Sequence, residues 1–429
     1  MKTKLSSKFW VALTVFSLLG QVAWVVENMY LNVFIYNMFN ASAGDISLMV
    51  SASAVSATLT TLFMGALSDR VGKRKVFICG GYIAWGISIF AFCLVREDII
   101  KGIWGATASW ASIGVTAVIA LDCIMTFFGS TANDAAFNAW VTDSTDSTNR
   151  GAAEGINSMM PMIAILAVFG GFMAFDLEKS QSWTMIFAII GILVLVAGIM
   201  GCFIIKKDEM LPSESGYLKN LVYGFRPSTM KKYSSLYLCL VGFIIFNISI
   251  QIFMPYLIIY YEKTLKMTNY TFILAPAVIL ASVATFFWGR VYDKKGFNPS
   301  FSVSSVVLVL GYVVLALFKD TALVFVGSLL MMCGYLCTMA VFGAKIRDLT
   351  PVGKSGMFQG VRIFSQVLIP GVIGPYIGKT VLDGAEQIAN SDGTTSFLPN
   401  EDIFVAALVA VAVAMGFVWV VSCFQRKKN

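Results

Sequence analysis

The sequence predicts an all-α polytopic membrane protein, with twelve transmembrane helices in two pseudo-symmetric six-helix bundles. Three observations carry that expectation. The 429 residues are 58% hydrophobic and 13% charged, with mean hydropathy +0.78, against about 45–50% apolar and about 25% charged in a soluble domain. The apolar residues form long, unalternating runs, which suit helices and not the strands of a barrel. Two short polar motifs recur, in the same order, in the two halves of the chain.

A helix needs roughly 20 apolar residues to cross a bilayer, and the runs that qualify lie at roughly 9–37, 44–67, 76–95, 111–140, 152–174, 183–205, 235–261, 270–289, 300–318, 321–344, 356–378 and 402–424. The first follows Lys2, Lys4 and Lys8. It outlasts the core of a signal peptide, about 7–15 residues, and so reads as a retained helix. The longest polar stretch runs from Lys206 to Lys232 and carries Pro212, Gly216, Gly224 and Pro227. It divides the chain into an N-terminal bundle (1–205), a linker (206–234) and a C-terminal bundle (235–429).

Lysine and arginine crowd into alternate loops, including Lys2 to Lys8, Arg70 to Lys75, Lys206 to Lys232, Arg290 to Lys295 and Arg426 to Lys428. The opposite loops hold only Arg96, Lys101, Lys179, Lys263, Lys266, Lys319 and Lys379. This bias predicts a multi-pass protein of the plasma membrane with both termini in the cytoplasm. The net charge of +7 is then a matter of topology, and no nucleic-acid partner is expected. The eight cysteines lie in or beside apolar runs. Cys333 and Cys337 share a helix face, but the chain has no histidine to complete a common zinc set, so they read as small packing residues. Without histidine there is no His-based proton relay or triad. Without a phosphate-cradling Gly-rich loop ending in Lys-Ser/Thr, an enzyme is not expected. The outer segment Lys379 to Glu401 reads equally as a shield or as a flexible loop.

The repeated motifs are specific. Gly65, Asp69, Arg70 and Gly72 in GALSDRVGKRK share the pattern G-x-x-x-D-[RK]-x-G with Gly289, Asp293, Lys294 and Gly296. DSTDSTNRGAAEG, Asp143 to Gly155, is answered by DLTPVGKSGMFQG, Asp348 to Gly360, a register that matches Asn157 with Arg362. In the first motif Gly65 allows close helix packing and Gly72 a left-handed turn. Asp69 is placed to face a helix N-terminus, and Arg70 to pair with an acid such as Asp143. Lys73, Arg74 and Lys75 read as positive-inside charge alone. Asp143, Arg150 and Asp293 complete the expected gating set. Internal repeats in transporters place the substrate site at their interface.

GALSDRVGKRK resembles the helix 2–3 signature of the major facilitator superfamily. With twelve spans, a central loop and a weaker second copy, the resemblance covers the whole chain. It implies two six-helix bundles alternating access around a central cavity.

Ionisable groups inside spans are costly and by default functional. They are Glu27, beside Trp24 and Asn28; Asp122; Asn133 with Asp134; Glu154, near Asn157; and Arg362, with Gln366 on the same helix. Asp134 lies about 13 Å and Arg362 about 10 Å from the cytoplasmic helix ends at roughly 1.5 Å per residue. Whether Asp122 or Asp134 partners Glu27 stays open. Asp134 and Glu27 read as proton or cation sites, and Arg362 as a counter-charge or substrate ligand, each against a structural ion pair or hydrogen bond. Trp24, Asn28, Asn133, Asn157, Asn247 and Gln251 offer the mixture of aromatic faces and amides that sugars need.

TANDAAFNAWVTDSTDSTNRG, Thr131 to Gly151, further resembles helix 4 and the following loop of the glycoside–pentoside–hexuronide cation symporters, with Asn133, Asp134, Phe137 and Arg150 on the motif. Asp134 would then be the cation-site carboxylate. The motif's proline is Ala136 here, and residues 46–64 hold no acid, unlike helix 2 of the sodium-coupled members. The sucrose–proton branch is the better likeness. The expected function is therefore symport of a sugar or glycoside with a cation, a proton in preference to Na⁺. The partners are then that solute, the coupling ion and the lipid bilayer, with no other cofactor, and the protein acts as a monomer. Proton-coupled efflux of drugs or metabolites is the alternative. A sensor or scramblase on the same fold is the third reading.

Overall fold

The computed structural model describes residues 5–105, 109–145, 149–205, 222–267, 269–351, 355–389 and 395–428, without the side chains of 150, 151, 154, 355–357, 359 and 425–428. Most of the expected linker, and the side chain of Arg150, therefore lie outside the described residues. Among the described residues, twelve helices are long and apolar enough to cross a membrane. They are α1 (Ser7–Phe39), α2 (Ala43–Val71), α3 (Arg74–Leu94), α4 (Trp110–Ser144), α5 (Gly155–Phe172), α6 (Ser180–Ile204), α7 (Ser234–Thr264), α8 (Thr271–Lys295), α9 (Phe297–Leu317), α10 (Thr321–Leu349), α11 (Gly360–Leu382) and α12 (Asp402–Phe424).

The ends of these helices follow local chemistry. Ser42 opens α2 with a capping box, its hydroxyl accepting from the Asp45 amide while the Asp45 carboxylate accepts from the Ser42 amide. Asp320 caps α10 by accepting from the Ala322 and Leu323 amides. Gly72 ends α2 at φ +67°, the left-handed turn its position in the motif predicts. Several helices outrun their apolar windows. α4 and α7, of 35 and 31 residues, are among them, and each contains a π turn, Ser130–Phe137 and Tyr260–Thr264 respectively. Two more π turns interrupt α1 at Val26–Tyr30 and α11 at Phe364–Leu368.

The chain divides into two compact units, Met1–Lys219 and Asn220–Asn429. In the first, α3 packs along α6, α1 on α5 and α2 on α4. In the second, α9 packs along α10, α8 on α10, and α7 on both α11 and α12. Lipid tails are as apolar as the side chains, so helices in a bilayer associate through close fit and small residues. Gly334 shows how close: a Cβ there would lie 2.4 Å from the backbone nitrogen of Leu308 on α9.

The segment between α11 and α12 contains a short hairpin. Strand β1 (Gln387–Ala389) pairs antiparallel with β2 (Thr395–Phe397), Gln387 opposite Phe397. The Leu398 amide donates to the Glu386 carbonyl at 2.8 Å. Phe397 meets Tyr256 of α7 edge-on at 6.2 Å, and Lys319 pairs with Glu401 at 3.2 Å.

Candidate functional site

The first unit gathers its acids around the π turn of α1. An α-helix at this point would be fully bonded i to i+4; the π turn adds a residue to the turn and re-aims the side chains beyond it, a feature frequent at functional sites. Here it presents Glu27, only 7% exposed. The Ser53 hydroxyl of α2 donates to Glu27 Oε1 at 2.8 Å and the Thr126 hydroxyl of α4 to the same atom at 3.0 Å. The two hydroxyls are themselves 2.9 Å apart. Glu27 Oε2 has no hydrogen-bond partner among the described residues, and neither does Oδ1 of Asp122, one turn before Thr126 and 1% exposed.

Asp122 and Asp134 each lie within electrostatic range of Glu27. Both acids that the sequence offered as partners of Glu27 thus lie near it. Asp134 sits in the π turn of α4, half-buried, and accepts from the Ser130 hydroxyl at 3.0 Å. Burying one bare carboxylate costs several kcal/mol even after relaxation, roughly, and three together repel. The cluster is therefore chemically suited to hold protons or a cation.

Its surroundings are packed. Asn133 donates to the Tyr82 hydroxyl at 2.8 Å, and Tyr82 donates to the Phe16 carbonyl at 2.7 Å. Asn157 accepts from the Ser17 hydroxyl, tying α5 to α1. Trp24 lies 5.1 Å from Trp85, with ring planes at 45°. Asn28 is exposed, and its amide donates to the Trp24 carbonyl on its own helix. Of the amides proposed for a solute, Asn133 and Asn157 are thus engaged in joining helices.

At the other end of α2 lies an ion-pair lock, with a different arginine from the one expected. Arg74, 5% exposed, pairs with Asp69 and reaches Asp143 at 3.2 Å, and also donates to the Ser68 hydroxyl. Arg70 is exposed and makes no ion pair with a described residue. The correction has a geometric cause. The turn at Gly72 reverses the chain, so the first residue of α3 faces back between α2 and the end of α4, while Arg70, still on α2, points away. Gly65 is buried beneath this turn, its carbonyl accepting from the Ser68 hydroxyl.

In the second unit Asn247 is buried and donates to the Phe243 carbonyl at 2.8 Å. Gln251 packs against Gly374, where a Cβ would come within 2.4 Å of its own Cβ. Gln366 lies half-buried in the π turn of α11. Arg362 and Arg347 line one cavity of about 90 Å³ with Thr350 and Phe358, and neither arginine is ion-paired with a described residue. Asp293 is exposed, and the acid bonded here is instead Asp348, which accepts from the Tyr292 hydroxyl at 2.5 Å. At the register of the repeated motif, Asn298 stands where the first unit has Arg74.

The family model of the Major Facilitator Superfamily matches residues 10–375. The chain belongs to the Major Facilitator Superfamily. Superfamily transporters of known structure share its fold. A single-residue mutant of the nucleoside transporter NupG superimposes with a TM-score of 0.76 at 12% identity, over 95% of this chain and 98% of that one. A bacterial homolog of the human lysosomal transporter Spinster, inward-facing and unoccupied, gives 0.73 at 14% over 99% of both chains. A D-xylose–proton symporter gives 0.71 at 14% over 96% of both. Among curated proteins, sugar efflux transporter B of Salmonella typhimurium (strain LT2) is 22% identical over 203 residues. That match spans about half of this chain and of the relative, 47% of each.

Sequence reasoning missed Ser53, Thr126, Ser130 and Tyr82 within this superfamily fold, and it misread Arg74. Hydroxyls inside spans usually bond the carbonyl four residues back, as Thr131 and Ser282 do, so they carry little signal. For Arg74 the signal was position: an arginine two residues past a left-handed glycine faces back into the hairpin.

Proposed function

We propose that this chain is a secondary active transporter that imports a sugar or glycoside by proton symport with alternating access, in the plasma membrane with both termini cytoplasmic. The observation that carries this reading is the Glu27 cluster. Two hydroxyls converge on one oxygen of Glu27, and the other oxygen, like Oδ1 of Asp122, is buried without a partner among the described residues. A proton on one carboxyl removes a charge that low-dielectric surroundings penalise, and each charge moved across the membrane is worth about 2.3 kcal/mol per 100 mV. Loading from one side and release to the other converts that gradient into solute accumulation. Asp134 takes the role that the likeness to the glycoside–pentoside–hexuronide symporters implies, holding the coupling ion beside Glu27. Residues 46–64 supply the Ser53 hydroxyl to the cluster and no acid, which favours a proton over Na⁺. Asn28, Gln251, Gln366 and Arg362 are the polar groups left for the solute, Arg362 as hydrogen-bond donor or counter-charge. The Arg74–Asp69–Asp143 lock breaks and re-forms as access alternates. The D-xylose–proton symporter among the structural relatives supports the class of chemistry.

The test is alkalinisation of the medium by de-energised cells expressing the protein, on adding each of a panel of glycosides, with Glu27→Gln, Asp122→Asn and Asp134→Asn alongside. A solute-evoked pH rise abolished in Glu27→Gln supports the reading; no response to any solute, with or without Na⁺, refutes it. Proton-coupled efflux is the second reading, favoured by the partial likeness to sugar efflux transporter B. Uptake into everted vesicles driven by an inside-acid gradient, without import in whole cells, would select it.

A further inference from the structure

A second polar cavity lies in the second unit, away from the acids and from Arg362. It has a volume of about 400 Å³ and is walled by α7, the turn from α8 into α9, α10 and α12. That is within the range of small-molecule sites, about 300–1,000 Å³. Two lysines line it, Lys295 from the turn and Lys345 from α10, and among the described residues no acid does. Neither lysine has a carboxylate partner among those residues. Lys345 Nζ stands 5.8 Å over the ring of Phe297. Asn298 accepts from the Ser422 hydroxyl at 2.9 Å, which leaves its amide N–H donors without a partner among the described residues. α9 begins at this cavity with no side-chain cap, so its first amide N–H groups add positive potential.

We infer that this cavity binds the phosphate headgroup of an anionic phospholipid. Two unpaired ammonium groups, free amide donors and an uncapped helix start make a phosphate-selective set. The surroundings favour a lipid over a free anion. Next to the lining residues, α9 exposes Val303 and Val306, and α12 exposes Trp419 and Val420. These two helices pack on each other, so a headgroup in the cavity has apolar surface beside it for its acyl chains. On the orientation predicted by the Lys/Arg bias, this end of the unit lies at the cytoplasmic leaflet, where anionic lipids concentrate and basic pockets between helices hold their headgroups.

The experiment is native mass spectrometry of the full-length purified protein with phosphatidylglycerol, phosphatidylcholine, or glycerol phosphate as the soluble headgroup alone. Wild type is expected to retain phosphatidylglycerol in preference to phosphatidylcholine. The double substitution Lys295→Gln with Lys345→Gln is expected to weaken that retention by roughly thirtyfold, given roughly 1 kcal/mol for each of the two ammonium groups beside an anionic headgroup. Lys294→Gln, outside the cavity, leaves it unchanged. Val421→Trp fills the cavity without altering charge and produces the same loss, so the inference stays testable if the double variant does not fold. Equal retention by Val421→Trp and wild type overturns it. So does binding of glycerol phosphate as tight as that of the lipid, which would assign the cavity to a free anion.

Discussion

At the scale of single residues, hydrogen bonds to a charged group contribute about 1.5–3 kcal/mol each, and Glu27 receives two on one oxygen. Removing the carboxylate by Glu27→Gln keeps the shape and deletes the proton site. Accumulation of solute against its gradient is expected to vanish, while exchange across the membrane at equal concentrations persists; counterflow in proteoliposomes measures the two separately. Ser53→Ala and Thr126→Ala each remove one donor, and each is expected to lower coupled uptake about tenfold or more. The two arginines of the first motif give a sharper contrast. Breaking a buried ion pair costs roughly 3–5 kcal/mol, whereas an exposed one contributes about 0–1 kcal/mol. Arg74→Ala should therefore lower the unfolding temperature of the purified protein by several degrees, and Arg70→Ala should leave it within error. The acids of the site were legible in the sequence because a charge inside an apolar run is conspicuous. The hydroxyls that hold Glu27 were not, since nothing in their spacing separates them from hydroxyls bonded to their own helix. Arg74 was obscured by the neighbouring bases, which satisfy the positive-inside bias without any specific contact.

At the scale of the elements, the twelve spans were legible because their length and apolarity are set by the bilayer, and most boundaries fall within a few residues of those read from the sequence. The π turns were not. One inserted residue shifts the helical phase, and spans that are apolar on all sides show no phase to shift. Yet these turns hold Glu27, Asn28, Asp134 and Gln366, four of the residues proposed for the solute or the ion. Close packing makes the opposite kind of demand. Gly334→Leu would drive a side chain into the backbone of α9, and overpacking of a tight interface costs about 1–3 kcal/mol or more. A clear fall in unfolding temperature is expected, with the helical circular dichroism signal at low temperature unchanged.

At the scale of the whole molecule, the order of spans and the alternation of basic loops predict which side of the membrane each loop occupies. A cysteine placed at Ser42, in the loop between α1 and α2, is expected to react with an impermeant maleimide in intact cells. One placed at Lys73 is expected to react only after permeabilisation. The reverse pattern would invert the proposed orientation.

The two halves that repeat a motif do not repeat its electrostatics. Asp69, Arg74 and Asp143 form a charged triad, whereas the second unit has Asn298 at the arginine's position and a neutral Tyr292 bonded to Asp348. Arg74 is buried, so salt screens the first arrangement little, and removal of a charge is the way to disturb one half alone. Suppressors of Asp69→Asn selected in a genetic screen would cluster within residues 69–143, leaving the second repeat untouched.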